Sequence, residues 1–237
     1  MIPKIIHYCW FGGKPLPPEV RRCIRSWQRV CPDYEIRRWD ETNFDVTAHP
    51  FMKAAYEAGA WAFVSDIARL MVVHAHGGIY LDTDVELLRR PDGLLDNGCY
   101  VGTQQADGQI ATGLGFGAEA HDPAVGAMLA EYDGVAFSPD RKAELACPIL
   151  NTRALTAFGF VFSDEPQQLT RLLVLPPRFL DPYAPGDGTH DLLCADTLSI
   201  HHYSASWLGP RARFRRRLIR LIGQKRISRL KAFLGRG

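Results

Sequence analysis

Hydrophobic positions along the chain form short apolar runs that alternate with amphipathic stretches. Residues 4–10 (KIIHYCW) are an apolar run that ends just before a Gly-Gly pair, which predicts a buried first strand and a turn. Residues 61–76 are long, apolar and free of helix breakers, and the Gly-Gly pair that follows supplies a helix end. Strands alternating with helices favour an α/β architecture. The remaining predicted elements are a helix to about residue 30, a strand at 34–39, a helix near 50–58, a short buried strand at 79–81, a helix near 124–132 and a last apolar segment at 197–203.

Length and composition narrow the class of protein. At 237 residues, 46% hydrophobic and 23% charged, the chain suits one large globular domain and excludes disordered and fibrous classes. No apolar run approaches the roughly 18 to 20 residues of a membrane-spanning helix, and residues 1–10 lack the long core of a signal peptide. The six cysteines are widely spaced without a C-x-x-C pair, which suggests neither a zinc ribbon nor a disulfide framework. We expect a cytoplasmic protein with reduced cysteines.

Charge divides the chain into a body, residues 1–210, and a tail, residues 211–237. The net charge is +2, but 11 of the 28 Lys and Arg residues lie in the tail, which has no acid; the body therefore carries 17 basic against 26 acidic residues, a net of −9. Apolar residues recur at helical spacing in the tail, which predicts a basic amphipathic helix. Such a helix suits an anionic membrane surface, and a helix packed on the body with solvated arginines is the alternative. The acidic body argues against nucleic acid as a partner.

The candidate chemistry centres on Asp82 and Asp84. Chance alone predicts about one D-x-D in a chain of this composition, so the bare motif proves nothing. Its setting is informative, because the buried strand at 79–81 would deliver both carboxylates to its carboxyl end, where open α/β sheets bind ligands. Alternate residues of an extended segment point the same way, and hard cations such as Mg²⁺ or Mn²⁺ prefer oxygen ligands. A solvated polar turn is the alternative for an isolated D-x-D.

A second pair of charges lies just upstream. Asp66 and Arg69 are three residues apart, on one face of the otherwise apolar helix predicted at 61–76. Buried charges are costly unless they have a partner or a function. The pair is therefore either part of a site or a structural ion pair.

At these residues the sequence resembles glycosyltransferase family 32, the group with a D-x-D sugar-binding segment that includes capsular-polysaccharide transferases and yeast Och-type mannosyltransferases. It is more distantly similar to the clostridial glucosylating toxins. The resemblance implies a GT-A-type, Rossmann-like mixed sheet flanked by helices, a nucleotide-sugar donor and retention at the anomeric carbon. Four segments carry it in this order: IPKIIHYCWFGG at 2–13, WAFVSDIARLMVVHAHGGIYLDTDVELL at 61–88, GLGFGAEAHDP at 113–123 and SIHHYSASW at 199–207.

The resemblance also implies which residues bind the donor. Trp10 would stack on the nucleotide base, Asp66 would hydrogen-bond the donor sugar, and Arg69 would lie near sugar and phosphate. Tyr80 precedes the D-x-D as the family pattern has it. Thr112 departs from the pattern, because family members often carry Asn at this position. The departure leaves one sugar contact, and with it the donor, open.

The metal site follows from the same resemblance. Asp82 and Asp84 would bind the metal together with ribose or phosphate, and with Asp66 and Arg69 they would form the catalytic set. His201 resembles the late histidine that completes metal coordination, with His202 as the alternative. The segment Ser206-Trp207 resembles the one that closes over the diphosphate.

These assignments predict a mechanism and partners. A metal clamped by carboxylates stabilises the charge that develops on the departing diphosphate. No carboxylate is left to act as a nucleophile, so we expect front-face attack, with the leaving phosphate taking the acceptor's proton. A UDP-sugar is favoured and GDP-mannose is the alternative donor. A saccharide or lipid-linked saccharide, in surface-polysaccharide synthesis at the inner face of the membrane, is the expected acceptor.

Two other classes of function stay open on the sequence. The run IYLDTDVE superficially matches phosphohydrolases with an Asp nucleophile, although Glu86 stands where those enzymes usually carry Thr or Val. A non-catalytic module that binds membranes through the tail would show no turnover of any nucleotide sugar.

Overall fold

The computed structural model describes residues 1–185 and 188–203. Its strands are β1 (Ile5–Cys9), β2 (Glu35–Trp39), β3 (Gly78–Tyr80), β4 (Val85–Leu87), β5 (Cys99–Gly102), β6 (Phe116–Ala118), β7 (Gln167–Leu169), β8 (Leu172–Leu175) and β9 (Ser199–His201). Its helices are α1 (Pro18–Val30), α2 (Pro50–Glu57), α3 (Trp61–His76), α4 (Pro123–Ala130), α5 (Cys147–Thr156) and α6 (Pro177–Leu180), with short 3-10 turns at Asp92–Leu94, Thr112–Leu114 and Pro139–Arg141.

A mixed sheet of seven strands forms the centre, in the order β2-β1-β3-β6-β5-β8-β7. Strand β1 pairs in parallel with β2 and β3, and β5 in parallel with β8, whereas β6 runs antiparallel to β3 and β5, and β7 to β8. A separate antiparallel ribbon joins β4 to β9. The arrangement confirms the predicted mixed sheet flanked by helices.

Helices cover both faces of this sheet. On one face, α2, α3, α4 and α5 enclose a core that includes Phe51, Ile67 and Tyr80. On the other face, α1 encloses a second core that includes Trp27 and Ile79. Ile79 and Tyr80 are neighbours in β3 and point to opposite faces, as side chains of a strand must. The strand that precedes the D-x-D is therefore buried on both sides.

Helix α1 fixes the β4–β9 ribbon. The indole Nε1 of Trp27 donates to the carbonyl of Val85 at 2.8 Å, and the backbone N of Leu87 donates to Oγ of Ser26 at 3.0 Å. Both side-chain partners on α1 are buried. Because Val85 directly follows the D-x-D, these bonds hold the backbone of the candidate site in place.

The turn from α3 into β3 depends on glycine. Gly77 has a φ of 64°, and a Cβ there would lie 2.9 Å from the backbone N of Ala120. A left-handed residue without a side chain lets the chain enter the central strand at once.

The described structure ends at Tyr203. The predicted tail at 211–237 and the segment Ser206-Trp207 lie outside the described residues, so the division at residue 210 stays a prediction. All six cysteines are free, and five of them are buried. No helix in the described residues has both the length and the hydropathy of a membrane span.

Candidate functional site

The candidate site lies at the edge of the sheet where β1 and β3 end. These two strands are parallel neighbours, so the residues that follow them emerge side by side. Trp10 follows β1, is half-buried, and donates from its indole Nε1 to the carbonyl of Lys14 at 2.6 Å. Asp82 and Asp84 follow β3, at the carboxyl end of a buried strand as predicted.

The ribbon brings a third metal-ligand type to the same place. Val85 on β4 is paired with His201 on β9, which sets this histidine beside the D-x-D. Ligand atoms of Asp82, Asp84 and His201 all lie within 4.8 Å of one another. His201 Nε2 is 3.1 Å from Asp84 Oδ1. His202 is turned elsewhere, with its Nε2 2.8 Å from Glu86 Oε2.

These three residues fit a divalent cation. Two carboxylates and an imidazole are a suitable donor set for Mn²⁺ or Mg²⁺ with further oxygen ligands from a phosphate. Nδ1 of His201 is buried and has no hydrogen-bond partner among the described residues. Burial raises the pKa of Asp82, against the opposing charge of Arg69. Burial lowers the pKa of His201, but the carboxylates of Asp84, Asp82 and Asp181 together outweigh this and raise the pKa above its usual value. The protonation states of the aspartates and of His201 therefore depend on one another.

Asp66 and Arg69 form a buried ion pair that reaches the D-x-D. Arg69 Nη2 donates to Asp66 Oδ1 at 2.5 Å and lies 3.6 Å from Asp82 Oδ1. The guanidinium also stands over the ring of Tyr80, 5.2 Å from its centroid, while the Tyr80 hydroxyl donates to Asp82 Oδ1 at 3.0 Å. Nη1 of Arg69 is buried without a hydrogen-bond partner in the described chain. The NH2 group at Nη1 of this cation thus has no acceptor among the described residues.

Gly113 packs directly against this ion-pair cluster. A Cβ at this position would lie 2.6 Å from Asp82 Oδ2 and 2.9 Å from Arg69 Nη1. Only a residue without a side chain leaves both groups where they are. Gly113 therefore allows the backbone to pass close to the site.

Sequence reasoning missed two residues of α5 that line the back of the site. The amide Nδ2 of Asn151 donates to Oγ1 of Thr112 at 3.0 Å, and Oγ1 of Thr112 is 4.0 Å from Sγ of Cys147. Burial raises the pKa of Asp66 to about 6, opposed chiefly by the charge of Arg69 and to a smaller extent by a hydrogen bond from the Cys147 thiol. No local signal marks these positions, because Cys147 is far from Asp66 along the chain.

The structure thus brings most of the predicted residues together. Contacts connect Asp66, Arg69, Tyr80, Asp82, Asp84 and His201. Trp10 shares their edge of the sheet. Ser206-Trp207 lies outside the described residues, and its role stays a prediction.

Comparison with known proteins finds matches to the part of the chain that carries Asp66, Arg69, Tyr80, Asp82 and Asp84. Residues 17–101 match the family model "Glycosyltransferase sugar-binding region containing DXD motif". Inositol phosphoceramide mannosyltransferase 3 of Schizosaccharomyces pombe is 31% identical over 119 residues, which cover 48% of this chain and 33% of that protein. Uncharacterized glycosyltransferase L373 of Acanthamoeba polyphaga mimivirus is 29% identical over 94 residues, 36% of either chain. The chain spans about a third of the length of these curated relatives.

A solved structure shares the fold. The PaToxG glycosyltransferase superposes with a TM-score of 0.50 at 18% identity, over 66% of this chain and 69% of that one. The likeness supports the predicted GT-A-like fold, and the sequence matches confirm the resemblance that the D-x-D segment indicated.

Proposed function

We propose that this chain transfers a hexose from a nucleotide sugar to a saccharide or lipid-linked saccharide, because residues 17–101 match the DXD-containing sugar-binding region of glycosyltransferases. The transfer requires a divalent metal ion and retains the configuration at the anomeric carbon. One observation carries the proposal: Asp82, Asp84 and His201 converge at the end of a buried strand, beside the buried cation of Arg69. Metal ligands next to a fixed positive charge suit a diphosphate.

Asp82, Asp84 and His201 would hold the ion, Mn²⁺ or Mg²⁺. When bound, such an ion neutralises charge that develops on the departing diphosphate as the bond from the anomeric carbon to oxygen breaks. Tyr80 holds the Asp82 carboxylate in position through its hydroxyl. Its ring is 1% exposed, so this orientation is set by the core before any ligand arrives.

Arg69 and Asp66 act on the donor in complementary ways. Asp66 holds Arg69 through Nη2, which leaves the buried Nη1 to donate to a phosphate oxygen. The Asp66 carboxylate accepts from a hydroxyl of the donor sugar. The donor's base stacks on Trp10, at the same edge of the sheet. Pre-oriented buried groups of this kind stabilise a transition state without reorganising during the reaction.

Retention follows from front-face attack. The carboxylates of Asp66, Asp82 and Asp84 are committed to the sugar, the arginine and the metal site. The acceptor oxygen therefore forms its bond on the face that the diphosphate leaves, and its proton passes to an oxygen of the departing phosphate. No protein base takes part.

The relatives guide the choice of donor and acceptor. Inositol phosphoceramide mannosyltransferase 3 is named for mannosyl transfer to a ceramide-containing lipid. GDP-mannose is therefore a candidate donor in addition to the UDP-hexoses. A lipid-linked saccharide is likewise a candidate acceptor in addition to a free saccharide.

The proposal is tested by screening UDP- and GDP-hexoses with Mn²⁺ for transfer or slow hydrolysis. We expect turnover of one donor, its loss with chelator, and a decrease of about 10²- to 10³-fold for Asp82→Asn, because the variant removes a charge from the site. Asp140→Asn is the matched control: it removes the same charge from an exposed position in the 3-10 turn at Pro139–Arg141 and should leave turnover unchanged.

Three outcomes would contradict the proposal. Turnover that persists in chelator would refute the metal requirement, and an inverted product would refute retention. A phosphoaspartate trapped at Asp82 would identify a phosphohydrolase instead.

A further inference from the structure

Helix α1 carries a cationic outer face. Its exposed positions include four arginines, and at 3.6 residues per turn they fall within an arc of about 100°. The opposite side of the helix is buried against the β4–β9 ribbon and the core. We call these four residues the arginine face: Arg21, Arg22, Arg25 and Arg29.

The described residues do not neutralise the arginine face. Within the described part of the chain, no carboxylate forms a salt bridge with any of its four guanidinium groups, and Glu19 is the only acid on α1. Most other surface arginines in the described residues are paired with carboxylates, and Arg89, which donates to the carbonyl of Ala195, is the exception. The pairs include Arg37 with Glu35, Arg90 with Asp33, Arg141 with Glu144, Arg153 with Glu131 and Arg171 with Glu119. Four like charges without salt-bridge partners repel one another and add nothing to stability, although the body as a whole has a net charge of −9. Such a group is better explained as a surface that attracts an anionic partner.

Helix α1 supports the ribbon whose last strand precedes the tail in the sequence. Strand β4 is bonded to α1 through Trp27 and Ser26, and β9 is paired with β4. The described chain ends at Tyr203, two residues after β9. The basic sequence at 211–237 therefore begins a few residues beyond a ribbon that rests on α1. The chain thus has two separate concentrations of positive charge, one on α1 and one in the sequence that follows β9.

We propose that the arginine face of α1 docks on the surface of an anionic lipid bilayer. Lipid is favoured over nucleic acid because the tail sequence at 211–237 carries apolar residues at helical spacing. Such residues suit insertion among acyl chains but have no use against a phosphodiester backbone. Each Lys or Arg near an anionic bilayer strengthens binding by a factor of about five. Docking by α1 is independent of the proposed transfer reaction.

The test compares two full-length variants with the wild-type chain on lipid vesicles. One variant changes the arginine face, R21Q/R22Q/R25Q/R29Q. The other removes four positive charges from the opposite face of the sheet, K53Q/R141Q/K142Q/R153Q, all at exposed positions. Arginine and glutamine have similar helix propensities, and circular dichroism confirms that both variants keep the fold. Vesicles are pure phosphatidylcholine, or phosphatidylcholine with about one third phosphatidylglycerol.

We expect the wild-type chain to bind only the vesicles with phosphatidylglycerol, the arginine-face variant to bind them several hundred-fold more weakly, and the opposite-face variant to bind them within a few-fold of wild type. The inference is overturned if both variants lose affinity equally, if the arginine-face variant binds like wild type, or if the wild-type chain binds neither kind of vesicle. Tighter binding to an oligonucleotide than to vesicles, lost in the arginine-face variant, would overturn it in favour of nucleic acid.

Discussion

Gly113→Ala perturbs the geometry of the site with a single methyl group. The new Cβ would lie 2.6 Å from Asp82 Oδ2 and 2.9 Å from Arg69 Nη1. The φ of Gly113 is outside the left-handed region, so the backbone accepts alanine without strain. The effect of the substitution is therefore steric, and it acts on two groups that we assign to the metal and the diphosphate.

Its magnitude follows from the distances. Ordinary contacts with a Cβ begin at 3.4 Å, so the Asp82 carboxylate must move by about 0.8 Å. The carboxylate is held by the hydroxyl of Tyr80 and is close to Arg69, so it cannot move without weakening those contacts. A displacement of about 1 Å in a reacting site costs about 100-fold in rate, which corresponds to about 2.7 kcal/mol of transition-state stabilisation.

The assay is steady-state kinetics with the donor that the wild-type chain turns over. We expect kcat/KM to fall about 100-fold in Gly113→Ala. Gly93→Ala is the matched control, because a Cβ there meets no atom within 4 Å. Thermal unfolding checks that both variants are folded. A Gly113→Ala variant with kcat/KM close to that of Gly93→Ala would refute our account of the site.

Three further predictions concern the surroundings of the site. Burial lowers the pKa of His7 to about 4, so the free energy of unfolding should fall as pH falls from 6.5 to 4, by about 3 kcal/mol more than in His7→Gln; parallel pH profiles by denaturant titration would contradict this. Cys147→Ala removes the thiol that bonds Asp66 and should lower kcat/KM about tenfold, whereas Cys147→Ser should recover most of it; equal loss in both would point to packing alone. Trp27→Phe leaves the carbonyl of Val85 without its indole donor and should cost about 2 kcal/mol of stability in denaturant unfolding; an unchanged midpoint would count against the bond.

Local pattern predicted the elements around the D-x-D well. The helix predicted at 61–76 is α3 with the same bounds, and the strand predicted at 79–81 is β3 shifted by one residue. Hydrophobic periodicity and glycine pairs are local signals, so they can be recognised in a single sequence. Residues 97–120 are rich in glycine and carry no predicted element, yet they contain β5 and β6. Strands this short are stabilised by pairing with neighbouring strands, and the local sequence of a segment does not specify its pairing partners.

The amino-acid sequence by itself determined the spacing of Asp66 and Arg69 on one helix face, and of Asp82 and Asp84 beyond a buried strand, because these relations span only a few residues. Tertiary structure decided which histidine joins them. The register of β4 against β9 sets His201 beside the aspartates, and since side chains alternate along a strand, His202 meets Glu86 instead. Register and helix packing likewise placed Cys147 behind Asp66, a contact between distant segments that only the folded chain creates.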